Sequence, residues 1–445
     1  MRNCLHLALL VLTLSGCASQ GVVENTSGVG ADNAQAYSIK SFFEEWRTSD
    51  NALMLSFSGG GTRAAALSYG VMEELRDTPV VVAGRQKRLL DDIHMISSVS
   101  GGSFTSAYYG LHGDGLFDDF ERVFLHQDVQ SKLLRGFLNP FRWFSSKGRT
   151  EMAIKQYEYT VFADATFADM RKDDAPLILI NASDLSTGTR FSFVQEYFNL
   201  LCSDLSTFPV ARAVTASSAV PIVFEPVVVK NYPDCGSTAR PWETAIVKKS
   251  KTDMEISQIY ESLSQYSDPQ KIQYAHLVDG GITDNLGLRA FYEIVEITGG
   301  ITAMNKRAKR RPPRRIGVIS VDASTSAATK LAHSKDPPPL SDAISAMSDV
   351  QLHRYNAATK ELMERTIKKW GQQVSTPATP VETYFVQLSF ADIKDPQELD
   401  FFNNIPTSFD LTNEQVERLI EAGRRLLREN PEFRRMLADM KLDES

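Results

Sequence analysis

Ser98-Val99-Ser100-Gly101-Gly102 sets a serine between an apolar run and a stretch of small residues. This is the context of a nucleophile elbow, where a sharp strand-to-helix turn exposes one hydroxyl and its neighbours must be small. Gly102 meets that demand two residues after Ser100, while Ser98 stands where the strict motif has glycine. One apolar run earlier lies Gly59-Gly60-Gly61-Thr62-Arg63. Glycines that open a helix can present backbone amides to an anion. The segment lacks the spacing of a phosphate-binding P-loop and of a dinucleotide fingerprint. Beside a nucleophile it reads better as an oxyanion hole, with amides aimed at charge developing on an attacked carbonyl. A third apolar run ends in Leu277-Val278-Asp279-Gly280-Gly281, which delivers a carboxylate where Gly280 and Gly281 permit a tight turn. A plain strand-end turn has the same pattern, and Asp284-Asn285 reads as turn structure.

A conventional triad needs a histidine, which in α/β-hydrolase order follows the acid. Only His333 and His353 lie after Asp279. His333 sits in a Lys/Pro-rich loop and His353 beside Arg354 in a helical pattern, and neither context is built for catalysis.

The elements that position these residues alternate between strand and helix. Ala52 to Phe57 is an apolar strand running into the glycines, and Leu67, Val71 and Leu75 follow at helical spacing. Ile93 to Val99 is a second strand, followed by a small-residue helix through Ala107 and Tyr108. Leu177 to Ile180, Ile316 to Val321 and Tyr384 to Phe390 are further strands, and continuous apolar runs are expected where both faces are buried. The alternation predicts an α/β protein with a mainly parallel sheet. Thr412 and Gln415 form a capping box ahead of a helix with Val416, Leu419, Ile420, Leu426 and Leu427 on one face.

Taken in order, Gly-Gly-Gly-x-Arg, small-x-Ser-x-Gly and Asp-Gly-Gly resemble the patatin-like phospholipases, here in a bacterial lipoprotein member. Ala213 to Pro226 is similar to that family's Ala-Ser-x-Ala-x-Pro block, and Ile405-Pro406-Thr407-Ser408-Phe409 is similar to bacterial members. The resemblance covers about Ala52 to Leu427, and Ser98 is its departure. It implies a three-layer α/β/α fold around a mainly parallel central sheet. It also implies a Ser–Asp dyad, with Ser100 as nucleophile and Asp279 as proton acceptor. Gly59, Gly60 and Gly61 would form the oxyanion hole, supported by Arg63, Gly102, Gly280 and Gly281. Arg63 would either orient the glycine loop or meet a lipid phosphate. The implied substrate is a lipid or phospholipid ester, with no cofactor and no metal. The alternatives are a general carboxylesterase using the same dyad, or a catalytically silent envelope lipoprotein that binds lipid or a partner.

The first sixteen residues combine Arg2 with a short apolar stretch, Leu5 to Leu14, too short to span a bilayer. Leu14-Ser15-Gly16-Cys17 resembles the bacterial lipoprotein cleavage box, in which Cys17 becomes the lipidated first residue. Ala18, rather than Asp, follows it, which points to the outer membrane. Residues 17–48 read as a flexible tether, 49–430 as the hydrolase domain with insertions near 130–150 and 300–340, and 431–445 as a tail. Cys202 and Cys235 can form a disulfide in an oxidising compartment, or remain two buried thiols. Leu133 to Phe144, rich in Phe and Trp with Lys132, Arg135 and Arg142 interleaved, fits either an interfacial lid or packed core helices. Lys306 to Arg315 is a solvated basic loop or a contact for anionic lipid.

Composition sets the outer bounds. In 445 residues, 42% are hydrophobic and 23% charged, ordinary for a folded chain. A formal net charge of -7 argues against nucleic-acid binding. Four cysteines rule out a disulfide-built scaffold.

Overall fold

Eight strands build the central sheet: β1 (Asn51–Phe57), β2 (Ile93–Val99), β3 (Leu177–Asp184), β4 (Thr189–Ser192), β5 (Val227–Lys230), β6 (Tyr274–Asp279), β7 (Arg315–Asp322) and β8 (Glu382–Ser389). The computed structural model describes residues 21–28, 36–45, 50–82, 84–127, 148–221, 223–233, 243–307, 311–326, 335, 337 and 340–442. The sheet order is β8-β7-β1-β2-β3-β6-β5, with β4 pairing β3. From β8 to β3 every neighbour is parallel, and β6 and β5 then run antiparallel. β3 and β7 are buried along their whole length, as their unbroken apolar runs require. β8, at the edge, instead alternates buried and half-buried residues.

Helices flank this sheet: α1 (Thr62–Asp77), α2 (Gly101–His112), α3 (Val210–Ser217), α4 (Gly281–Asp284), α5 (Arg289–Ile297), α6 (Leu340–Val374), α7 (Asn413–Glu429) and α8 (Pro431–Leu442). The capping box at α7 is formed: Gln415 N donates to Thr412 Oγ1 at 3.2 Å and Thr412 N to Gln415 Oε1 at 3.0 Å. The apolar face of α7 buries Val416, Leu419 and Leu427, and α7 packs along α1. Arg428 clamps Glu74 of α1 at 2.6 Å across that seam.

Sheet register brings the chemistry together. β1 and β2 are adjacent and parallel, so the glycine loop and Ser100 leave the sheet side by side. β6 approaches from the opposite direction. Val99 pairs with Asn181 of β3 and Asp279 with Ala182, so the strands carrying Ser100 and Asp279 end at the same level across β3.

Two terminal segments carry more packed structure than their composition suggests. The expected tail 431–445 carries α8, which buries Phe433, Met436 and Met440. The expected tether contains docked segments. Tyr37 is buried and its hydroxyl donates to Ile178 O at 3.1 Å. Ile39–Glu45 is a helix whose first amides, Ile39 and Lys40, each donate to Glu196 at 3.0 Å. Thr26–Ser27 pairs with Ser203–Asp204. Small polar composition suggested a tether, but a few side chains such as Asn25 and Tyr37 find buried partners. The aromatic stretch Leu133 to Phe144 lies outside the described residues. In the basic run, Lys306 belongs to the helix Ile301–Arg307, and Arg315 is buried in β7, where it donates to Asp439 O at 2.6 Å.

Candidate active site

Ser100 caps α2 with φ 51° and ψ -122°. A positive φ in a residue with a Cβ is strained and persists only where the surroundings enforce it. Here Ser100 N donates to Ser217 Oγ at 2.9 Å, and the Ser217 hydroxyl donates to Asn181 O at 2.6 Å. The helix must then pass close under β1. A Cβ on Gly102 would lie 2.7 Å from Phe57 Cβ and 2.8 Å from Ser58 O, so only glycine fits. The departure at Ser98 is absorbed locally. Its side chain is buried and accepts a 2.6 Å hydrogen bond from Ser106 of α2.

The carboxylate of Asp279 is buried and accepts Gly281 N at 2.8 Å, with the Ser100 side chain near enough to lower its pKa. Burial pushes the Asp279 pKa from 3.8 up to about 6, against the lowering pull of the Gly281 amide and the nearby Ser100 side chain. The backbone is pinned as well: Asp279 N donates to Ala219 O and Gly280 N to Ser217 O, both at 3.0 Å. Ser217 therefore holds both halves of the pair, through its hydroxyl on Ser100 and its carbonyl on Gly280.

The three loop glycines separate into two roles. Gly59 N donates to Asn285 O at 3.0 Å, so this amide is spoken for. A Cβ on Gly59 would sit 3.3 Å from Ser100 Cβ, which sets the loop directly against the serine. Gly60 and Gly61 have φ of 141° and 62°, conformations that favour glycine. Their amides have no acceptor among the described residues. Arg63 lies beneath the loop, buried. Its Nε donates to Ala323 O at 2.8 Å, Nη1 to Ile405 O at 2.6 Å and Nη2 to Thr407 Oγ1 at 3.0 Å. The guanidinium thus braces the glycine loop against two segments, at Ala323 and at Ile405–Thr407, which fits the loop-orienting role. Thr62 N adds a 2.9 Å bond to Ser408 O, so the Ile405–Phe409 segment clamps the glycine loop.

Sequence reasoning missed Ser217, Asn181 and Asn285. Ser217 lay inside the Ala213–Pro226 block, whose recurrence was the available signal. Asn181 Nδ2 donates to Ser97 Oγ at 2.9 Å and Ser98 O at 3.0 Å, and its Oδ1 accepts from buried Arg190 at 2.9 Å. Nothing in a strand sequence marks such a residue. Asp284 also proves more than a turn: buried, it accepts Arg289 N at 2.8 Å and starts α5. His353 is exposed on α6, and His333 lies outside the described residues. Cys202 is disulfide-bonded. Cys235 and Cys17 lie outside the described residues.

The family model described as Patatin-like phospholipase matches residues 55–292, more than half of the chain. Among solved structures, human GIVD cytosolic phospholipase A2 is similar at 13% identity and a TM-score of 0.43, over 96% of this chain and 69% of that one. The same human enzyme in complex with methyl gamma-linolenyl fluorophosphonate matches at 13% identity and a TM-score of 0.39, over 92% of this chain. The chain spans 62% of the length of that second structure. No curated protein matches the sequence.

Proposed function

Because the chain belongs to the patatin-like phospholipase family, we propose that it is a serine acyl hydrolase of lipid esters, of the phospholipase A or lysophospholipase type. The observation that carries this reading is Ser100 on its strained elbow near a buried Asp279 whose pKa is pushed to about 6, beside two glycine amides with no acceptor among the described residues. Ser100 Oγ attacks the ester carbonyl carbon while its proton passes to Asp279. An aspartate at 3.8 is a poor base, and raising it toward the working pH strengthens it. The oxyanion of the tetrahedral intermediate accepts hydrogen bonds from Gly60 and Gly61 N–H. Collapse expels the alcohol, which takes the proton from Asp279. Water, deprotonated by the same carboxylate, then attacks the acyl-Ser100 ester, the fatty acid leaves and Ser100 regains its proton.

The same reading has Cys17 lipidated and the protein anchored in the cell envelope, at the outer membrane. The disulfide at Cys202 fits an oxidising compartment, and this reading takes Cys235 as its partner. Ser100→Ala is the test. It should stop hydrolysis of both vesicle phospholipid and a short soluble ester, with the melting curve unchanged, since one small side chain replaces another. Turnover retained in a folded Ser100→Ala protein would refute the assignment.

A further inference from the structure

The N-terminal strap covers one edge of the sheet. Asn25 Nδ2 donates to Lys230 O at 2.8 Å, and Lys230 N donates to Asn25 Oδ1 at 2.9 Å, so its side chain pairs with the open edge of β5. Glu24 binds Arg212 of α3 at 3.0 Å, and the Tyr232 hydroxyl donates to Asn25 O at 2.6 Å. Contact begins no later than Gly21, where a Cβ would lie 2.6 Å from Val228 Cγ2. Only four peptide units separate Gly21 from Cys17. Fully extended they reach about 14 Å. A lipid on Cys17 is therefore on a short leash, fixed to a known edge of the molecule.

That edge strand neighbours β6, whose end carries Asp279, while Ser100 leaves the middle of the sheet. Val228 pairs with His276, three residues before Asp279 on the neighbouring strand, about 10 Å along it. Exposed apolar side chains gather at the same place. Val220 is 41% and Val223 49% exposed, in the loop that follows Ala219, whose carbonyl holds the Asp279 amide. Ile282, 52% exposed, sits three residues beyond Asp279. Aliphatic side chains this exposed, grouped round a reactive carboxylate, suit an apolar medium better than water.

We infer that Val220, Val223 and Ile282 form the face that meets the lipid bilayer, and that the short Cys17–Gly21 leash holds the protein on the membrane with this face down. The inference rests on lipidation of Cys17. The occupant is the bilayer rather than a protein partner, because the anchor would place the bilayer within about 14 Å of this edge. The reaction would then draw its substrate directly from the surface to which the protein is tied. The opposite edge, β8 covered by α8, lies six strand spacings away, roughly 29 Å, and should stay in water.

The test uses the full lipidated chain on phospholipid vesicles containing brominated lipid. An environment-sensitive fluorophore is placed on Val223→Cys in one protein and on Arg434→Cys of α8 in another, with the labelled parent as blank. Flotation reports anchoring and bromine quenching reports contact. The label at 223 should shift to the blue and be quenched at least about 3-fold more than the label at 434. Inserting a twenty-residue Gly/Ser spacer after Ser19 should preserve flotation. It should cut the surface contact of the 223 label roughly tenfold, as effective concentration falls with the −3/2 power of leash length. Flotation with equal quenching at 223 and 434 would overturn the docking face while leaving the anchor standing. Quenching at 223 that survives the spacer unchanged would overturn the role of the leash. A parent that fails to float would remove the anchor reading and this inference with it, while hydrolysis of a soluble ester would report separately on the enzyme.

Discussion

Asp279→Asn should inactivate the protein and make it more stable. Folding moves this carboxyl from 3.8 to about 6, chiefly by burial. The folded state therefore holds the proton more tightly than the unfolded chain between those values. Stability from this group is present at low pH and is lost as pH rises from about 4 through about 6, because the ionised form is the one that burial penalises. At about 1.4 kcal/mol per pH unit, the cost carried above pH 6 is roughly 3 kcal/mol. Asparagine keeps the shape and the Gly281 hydrogen bond on its Oδ1, offers Nδ2 to Ser100, and never ionises. Asp284, pushed to about 6 by its own burial, titrates in both proteins and cancels in the comparison. Unfolding of parent and variant should thus differ by up to about 3 kcal/mol at pH 8 and by almost nothing at pH 4. Ester hydrolysis should fall by about 10²–10⁴. A variant less stable than the parent at pH 8, or equally stabilised at both pH values, would refute a carboxyl held near 6.

Ser217→Ala leaves the buried Ser100 amide without its acceptor and should cost about 1–3 kcal/mol of stability. Because the elbow loosens, kcat should fall more than KM changes in steady-state assays. Arg63→Lys cannot reach Ala323 O, Ile405 O and Thr407 Oγ1 together. A melting temperature lowered by several degrees with reduced kcat is expected, and unchanged values for both would show that the brace is dispensable. His353→Ala and His333→Ala should each keep most of the hydrolytic rate, whereas a variant as inactive as Asp279→Asn would reveal a histidine in the mechanism.

Six of the eight sheet strands were legible as apolar runs, and the short β4 and β5 were not. Ile93–Val99 appears with the same limits the sequence suggests, and the other five differ by a few residues at their ends. Ser100, Asp279 and the glycines were legible because strain and close approach restrict which residues can stand there. What stayed hidden were polar residues whose role exists only after folding. Ser217, Asn181 and Asn285 look like ordinary helix, strand and turn residues until register sets them beside Ser100 and Gly59. The division within the loop, Gly59 committed to Asn285 and Gly60 and Gly61 uncommitted, likewise depends on a partner more than two hundred residues away. The strap at residues 21–28 is hidden from the sequence because its composition is that of a linker, and a few hydrogen bonds from Asn25 to a strand edge leave no periodic signal.

The most direct measurement of the central claim is covalent. A fluorophosphonate probe reacts with a serine only when a base activates it, and peptide mapping then reports which one. The account predicts a single phosphonylated residue, Ser100, with labelling lost in Ser100→Ala and strongly slowed in Asp279→Asn. An adduct on any other serine, or labelling at full rate in Asp279→Asn, would contradict it.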